Sequence, residues 1–248
     1  MKKNQDRDPL VRAARALARA AHPLALTGAG ISVASGIPDF RSPGGLWSRF
    51  SPDEYATMEV FRRDPARAWQ LFRAMAAILQ DARPNPAHLA LARLEQAGML
   101  RGVITQNVDN LHQAAGSRDV LEIHGDHQHL QCLGCGRLEP ADEAHYQMEE
   151  PPRCPDCGRV LKPNVVLFGE PVRHLEEIQA RVADCDLLLV IGTSAQVHPA
   201  AGLPRIVRAH GGLLVEFNRE RALAPASDFF VAGPAERSLP RLVDLVLS

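Results

Sequence analysis

Apolar residues change their spacing repeatedly along this chain, and each change predicts an element. Leu10, Val11, Ala14, Leu17 and Ala18 fall on one side of a helix over residues 8–21, with Arg12, Arg15 and Arg19 on the other and Pro23 beyond its end. Residues 24–26 are an unalternated apolar run, the pattern of a strand buried on both faces. The run ends in Gly28-Ala29-Gly30-Ile31-Ser32, and only a short helical piece over 31–35 fits before Gly36 and Pro38 break it. Residues 41–55 carry Leu46, Trp47 and Phe50 among Ser, Pro and Gly. That mixture suits a lid over a ligand or a surface loop pinned by its aromatic side chains.

Pro65 opens a helix carrying Trp69, Leu71, Phe72, Met75, Ile78 and Leu79, and a second helix over 87–97 is stopped by Gly98. Strands are predicted at 103–105, 120–123, 186–191, 211–217 and 229–231. Helices follow through Leu175, Ile178 and Val182, then over 200–209 and 238–247. Strands alternating with helices imply an α/β fold, a Rossmann-like doubly wound parallel sheet. In such a sheet the ligand crevice lies at the carboxyl ends of the strands. Gly28-Ala29-Gly30, Gln106-Asn107-Val108-Asp109, His124-Gly125, Gly192-Thr193-Ser194 and Asn218 all stand at such ends, so they should converge.

Between residues 131 and 162 the composition changes, with several prolines and few large apolar side chains. A segment that cannot build a core needs a staple. Cys132-Leu133-Gly134-Cys135 and Cys154-Pro155-Asp156-Cys157 can supply one: two Cys-x-x-Cys pairs at this separation can place four thiolates around a tetrahedral zinc, with redox dithiols or free core cysteines as the other readings. Four thiolates leave no open position, so this metal stabilises rather than catalyses. The expected organisation is therefore a discontinuous nucleotide-binding domain of residues 1–130 and 163–248 with a small zinc-ribbon insert at 131–162. His127 and His129, close to the first pair, are expected to be exposed or to stand outside the metal's own ligands. Cys185 reads as a small buried residue.

Charge narrows the partners. With 28 basic and 29 acidic residues in 248 and a formal net charge of −1, no global field draws nucleic acid or an anionic membrane. The longest apolar run, around 187–191, has strand length, so no membrane span is expected. The charged N-terminus and the paired cysteines suit a reducing, cytoplasmic setting. His124 reads either as a structural imidazole or, at a strand end beside a glycine, as a base facing the crevice. Asn107 and Asp109 read as an Asx turn or as ligands to a ribose or an amide edge, and Asn218 as a cap or a ribose contact.

Taken in order, these motifs resemble the sirtuin family of NAD-dependent protein lysine deacylases over nearly the whole length. The resemblance also draws on Gly36-Ile37-Pro38-Asp39-Phe40-Arg41 and Phe168-Gly169-Glu170. It implies NAD as co-substrate and one structural Zn²⁺ held by Cys132, Cys135, Cys154 and Cys157. It implies that Gly28, Ala29, Gly30, Ile31, Asp39, Phe40, Arg41, Gln106, Asn107, Asp109, Gly192, Thr193, Ser194, Asn218 and Ala235 bind NAD, with Phe40 shielding the reacting ribose carbon. His124 is implied as general base and Asn107 as a second catalytic residue. Val165, Val166, Leu167, Phe168 and Gly169 are implied to pair with an acylated-lysine peptide as an added strand. Nicotinamide and O-acyl-ADP-ribose are the implied products, and the acting unit is expected to be a monomer. Members that favour acidic acyl groups carry a Tyr and an Arg where this chain has Phe72 and Met75, which implies a neutral acyl substrate. Transfer of ADP-ribose to a protein is the competing activity.

Overall fold

A computed structural model describes residues 7–40, 44–224 and 226–248. Six strands form one parallel sheet: β1 (Pro23–Thr27), β2 (Val103–Thr105), β3 (Val120–Glu122), β7 (Leu187–Ile191), β8 (Leu213–Asn218) and β9 (Phe229–Ala232). Their order is β3-β2-β1-β7-β8-β9, and every pairing is parallel. The chain builds outward from β1 on one side, then returns to β1 and builds outward on the other. The order therefore reverses between β1 and β7, where a doubly wound sheet opens its crevice. This is the α/β architecture that the alternation of apolar runs predicts.

Strand geometry divides the core. Ala25, Val103, Leu189, Ile191 and Val215 point to one face and pack with Leu10, Leu17, Leu91, Leu94, Leu239 and Leu242. Those residues come from α1 (Pro9–Leu17), α3 (Pro86–Gln96) and α6 (Ala235–Leu247). The alternate residues Leu24, Leu26, Ile104, Leu188, Val190 and Leu214 point to the other face. They meet Ile178 and Val182 of α4 (Leu175–Ala183) and Leu203 and Val207 of α5 (Leu203–Ala209). With both faces covered, the central strands need no polar side, which is why they read as continuous apolar runs.

A second sheet is antiparallel, ordered β5-β4-β6, with β4 (Gly125–Gln131), β5 (Leu138–Pro140) and β6 (Lys162–Val165). The pattern Gly-Asp-His-Gln-His-Leu-Gln carries no strand signal, yet pairing on both sides makes β4 the centre of this sheet. Its core is borrowed. Leu130, Cys132, Cys154 and Leu161 pack on Trp69 and Phe72 of α2 (Pro65–Gln80), and Trp69 Nε1–H donates to Leu161 O at 2.9 Å.

Several local expectations need correction. Of the two readings of His127, exposure is overturned: it is buried and stacked on Tyr146 with ring centroids 4.6 Å apart, and it stands outside the four-cysteine cluster. Burial pushes it down to about 4. The piece over 31–35 is two 3₁₀ turns, Ala29–Ile31 and Val33–Ser35, because Gly36 adopts φ +86° and ends them. The last helix begins at Ala235 and carries Pro240 inside it, with Leu239, Leu242 and Val243 buried. Buried leucines on a long helix outweigh one missing backbone hydrogen bond. Cys185 is buried as expected.

Candidate active site and zinc centre

The loops after β1 and β7 are interlocked at the switch point. Gly28 N–H donates to Ile191 O at 3.0 Å, and Gly30 N–H donates to Gly192 O at 2.8 Å. A Cβ on Gly30 would stand 2.7 Å from Gly192 Cα and 2.8 Å from its carbonyl oxygen. Gly192 itself adopts φ +59°. Glycine at position 30 is thus required by another loop's backbone, whatever binds outside. Gly30→Ala should weaken folding by about 1–3 kcal/mol through overpacking, which thermal denaturation reads as a Tm about 3–10 °C lower.

Around this junction the strand ends converge by hydrogen bonds. Gln106 N–H donates to Thr27 O at 3.0 Å, and its Nε2 donates to Thr193 Oγ1 at 2.9 Å. Asn107 Nδ2 reaches Gly28 O at 3.3 Å and Ser32 Oγ at 3.1 Å. Asn218 Nδ2 donates to Thr193 O at 2.8 Å. Four strands are thereby tied at one end of the sheet, and the amides that tie them are the polar groups that the sequence places there.

His124 follows β3 and its Nδ1 lies 2.8 Å from Gln106 O. A carbonyl oxygen only accepts, so Nδ1 carries the proton and Nε2 keeps its lone pair. Burial lowers the His124 pKa from its ordinary value, against the opposing pull of that carbonyl. The ring is neutral at pH 7, with one nitrogen free to take a proton.

These groups wall a cavity of about 930 Å³. Its lining includes Gly28, Ala29, Gly30, Asp39, Phe40, Gln106, Asn107, His124, Gly192, Thr193, Ser194, Asn218 and Ala235. On the side of the second sheet it includes Val165, Val166, Leu167, Phe168 and Gly169. Two of the expected ligands stand behind the wall. Ile31 is buried beneath the glycine turn. Asp109 accepts from Ser32 Oγ at 2.6 Å and from Leu111 N–H at 3.0 Å, and burial raises its pKa. Arg41 lies outside the described residues. The wall also contains Trp47, Ala56, Leu71, Gln196, Val197 and His198, which no sequence motif marks as ligand contacts. Trp47, expected as the anchor of its loop, stands with its ring centroid 4.9 Å from that of Phe40 and shares the wall with it. The other five carry no local signal and reach the cavity through the fold alone.

The four cysteines of the insert meet as well. All four sulfurs lie within 4.8 Å of one another, with Cys132 to Cys157 at 3.4 Å and Cys135 to Cys154 at 3.6 Å. Tetrahedral zinc–thiolate bonds put sulfurs about 3.8 Å apart, whereas a disulfide needs about 2.05 Å. Gly136 and Gly158 adopt φ +79° and +73°, folding each knuckle back toward the centre. The donor set and spacing fit a structural zinc, and no reacting group stands among the four.

The Sir2 family pattern matches residues 28–199. The chain belongs to the Sir2 family. It is 48% identical over 234 residues to NAD-dependent protein deacylase 2 of Pyrobaculum aerophilum, covering 93% of each chain. It is 48% identical over 212 residues to an NAD-dependent protein deacetylase of Caldivirga maquilingensis, covering 84% of this chain and 82% of that one. Among solved structures, a Sir2 homologue in complex with NAD superposes with a TM-score of 0.90 at 39% identity, over 95% of this chain and 93% of the other. Sir2Af2 bound to a myristoylated histone peptide gives 0.80 at 38% identity, over 99% and 97%. Family membership accounts for the sheet order, the crevice and the four-cysteine cluster together.

Proposed function

We propose that this chain is an NAD-dependent protein lysine deacylase that releases nicotinamide and O-acyl-ADP-ribose, with His124 as general base. The observation that carries this reading is the neutral His124, its Nδ1–H spent on Gln106 O and its ring on the wall of the switch-point cavity. NAD in the crevice supplies a ribosyl carbon with nicotinamide as its leaving group. The turn at Gly28, Ala29 and Gly30 receives the diphosphate, and Gly192, Thr193, Ser194 and Asn218 receive the adenosine. Gln106 and Asn107, fixed by Thr193 and Gly28, orient the nicotinamide side. His124 Nε2 takes the proton of a ribose hydroxyl, which a neutral imidazole does near pH 7. Phe40 and Trp47, in ring contact, exclude water from the reacting carbon.

The substrate is an acylated protein segment laid along 165–169 as an added strand. Its acyl group faces Ala56, Leu71, Phe72 and Met75, an apolar stretch of the cavity wall. A carboxylate there would be desolvated without a partner, at a cost of several kcal/mol. We assign residues 131–162 to a zinc module and 1–130 with 163–248 to the nucleotide-binding unit, although β4 carries the small sheet back to Gly125. The near-balanced charge favours action on proteins rather than on nucleic acid, and we take the acting unit to be a monomer. Five cysteines with none in a disulfide favour a reducing compartment, the cytoplasm. Among the described residues no helix is long and apolar enough to cross a membrane.

The test uses one peptide bearing acetyl, longer neutral acyl or succinyl groups on its lysine, with NAD. The expected result is stoichiometric nicotinamide release and deacylation of the neutral substrates, with kcat/KM at least about tenfold lower for succinyl. Label from NAD appearing on protein without deacylation would establish ADP-ribosyl transfer instead.

A further inference from the structure

Lys162 is fully buried as the first residue of β6, the strand whose other end, Val165, lines the cavity. Burying an ammonium is costly unless its three N–H donors are satisfied. Here each has an acceptor: Pro163 O at 3.2 Å, Val165 O at 2.5 Å and Glu170 Oε2 at 3.1 Å. The same Glu170 oxygen accepts Leu167 N–H at 2.8 Å, and Glu170 N–H donates to Leu167 O at 3.0 Å. The ion pair therefore holds two carbonyls and one amide of a single segment. Burial draws Lys162 down to about 8, with Glu170 pulling it up and Arg173 pulling it further down, so the ammonium is charged at neutral pH.

The opposite side of that segment is tied elsewhere. Val166 N–H donates to His124 O at 2.8 Å, and Phe168 exchanges hydrogen bonds with Ala56 O and Met58 N–H at 2.9 Å each. Residues 163–170 are thus stretched between a buried charge pair on one hand and the His124 and Met58 backbones on the other. An apolar pair would fill the same volume and is often as stable. What an apolar pair cannot supply is the hydrogen bonding to Val165 O and Leu167 N–H that sets the direction of the backbone.

We propose that Lys162 and Glu170 are positioning residues, an ion pair that holds residues 163–167 extended and closes the turn at 167–170, the form that receives the acylated peptide. The inference rests on the deacylase reading above. Its test compares the zinc-loaded full chain with Lys162→Met and Glu170→Gln, measuring Tm, zinc content, and KM for peptide and for NAD at saturation of the other. In Lys162→Met the peptide KM should rise at least tenfold, with the NAD KM within twofold. Glu170→Gln keeps an acceptor for Leu167 N–H but loses the charge, so its peptide KM should rise less. If Lys162→Met fails to fold, a rise in peptide KM alone for Glu170→Gln supports the proposal by itself. Unchanged peptide KM in a folded variant, or both KM values shifted together with a lowered Tm, overturns the proposal. A wild-type chain that does not deacylate the peptide overturns the functional reading instead.

Discussion

His124→Ala should lower kcat for deacylation by about 10²–10⁴, the usual contribution of a positioned general base. The fold should survive, because the substitution removes one hydrogen bond to Gln106 O, worth about 1 kcal/mol. In the proposed mechanism the base acts after nicotinamide has departed, so exchange of free labelled nicotinamide into NAD should persist when product formation has stopped. A pH profile adds a second reading. The base must be neutral, and burial places its pKa below the ordinary 6.5. Activity should therefore be flat with respect to this group above pH 6.5 and fall as pH drops through the lowered pKa. The residual activity of the variant should lack that acid limb. A variant within fivefold of wild type, with the limb intact, would remove His124 from the proton transfer.

Stripping the metal should have the second large effect. Structural zinc sites of this kind contribute about 10–16 kcal/mol of apparent binding free energy to folding. The insert's buried Cys132, Cys154 and Leu161 pack in a cluster whose largest side chains, Trp69 and Phe72, come from α2, so the insert has little core of its own. Chelation, or Cys154→Ser, should release one zinc per chain and lower Tm by more than about 10 °C. Trp69 is wholly buried and bonded to Leu161 O, so its fluorescence should shift to longer wavelength as the insert opens. Peptide turnover should go with it, since Phe72 and residues 165–169 wall the cavity. The two cores on the faces of the parallel sheet contain no buried residue of the insert, so NAD binding should weaken less than peptide binding. Retention of Tm and activity in the zinc-free chain would show that the cysteines serve no structural metal.

The sequence by itself determined the parts of this molecule whose cause is local. Buried parallel strands need apolar residues on both faces, so 24–26 and 186–191 were legible, and with them the α/β class. Paired cysteines two residues apart carry their own chemistry, and the knuckles closed as their spacing required. Tertiary structure decided what depends on distant partners. β4 is a strand because β5 and β6 flank it, not because its residues alternate. Gly30 must be glycine because Gly192, 162 positions away in the chain, passes against it. His127 is buried because Tyr146 covers it, and Lys162 stays charged because Glu170 and two carbonyls come to meet it. Periodicity and spacing reflect a residue's sequence neighbours, whereas burial and the protonation state of His124 depend on what the rest of the chain places around it.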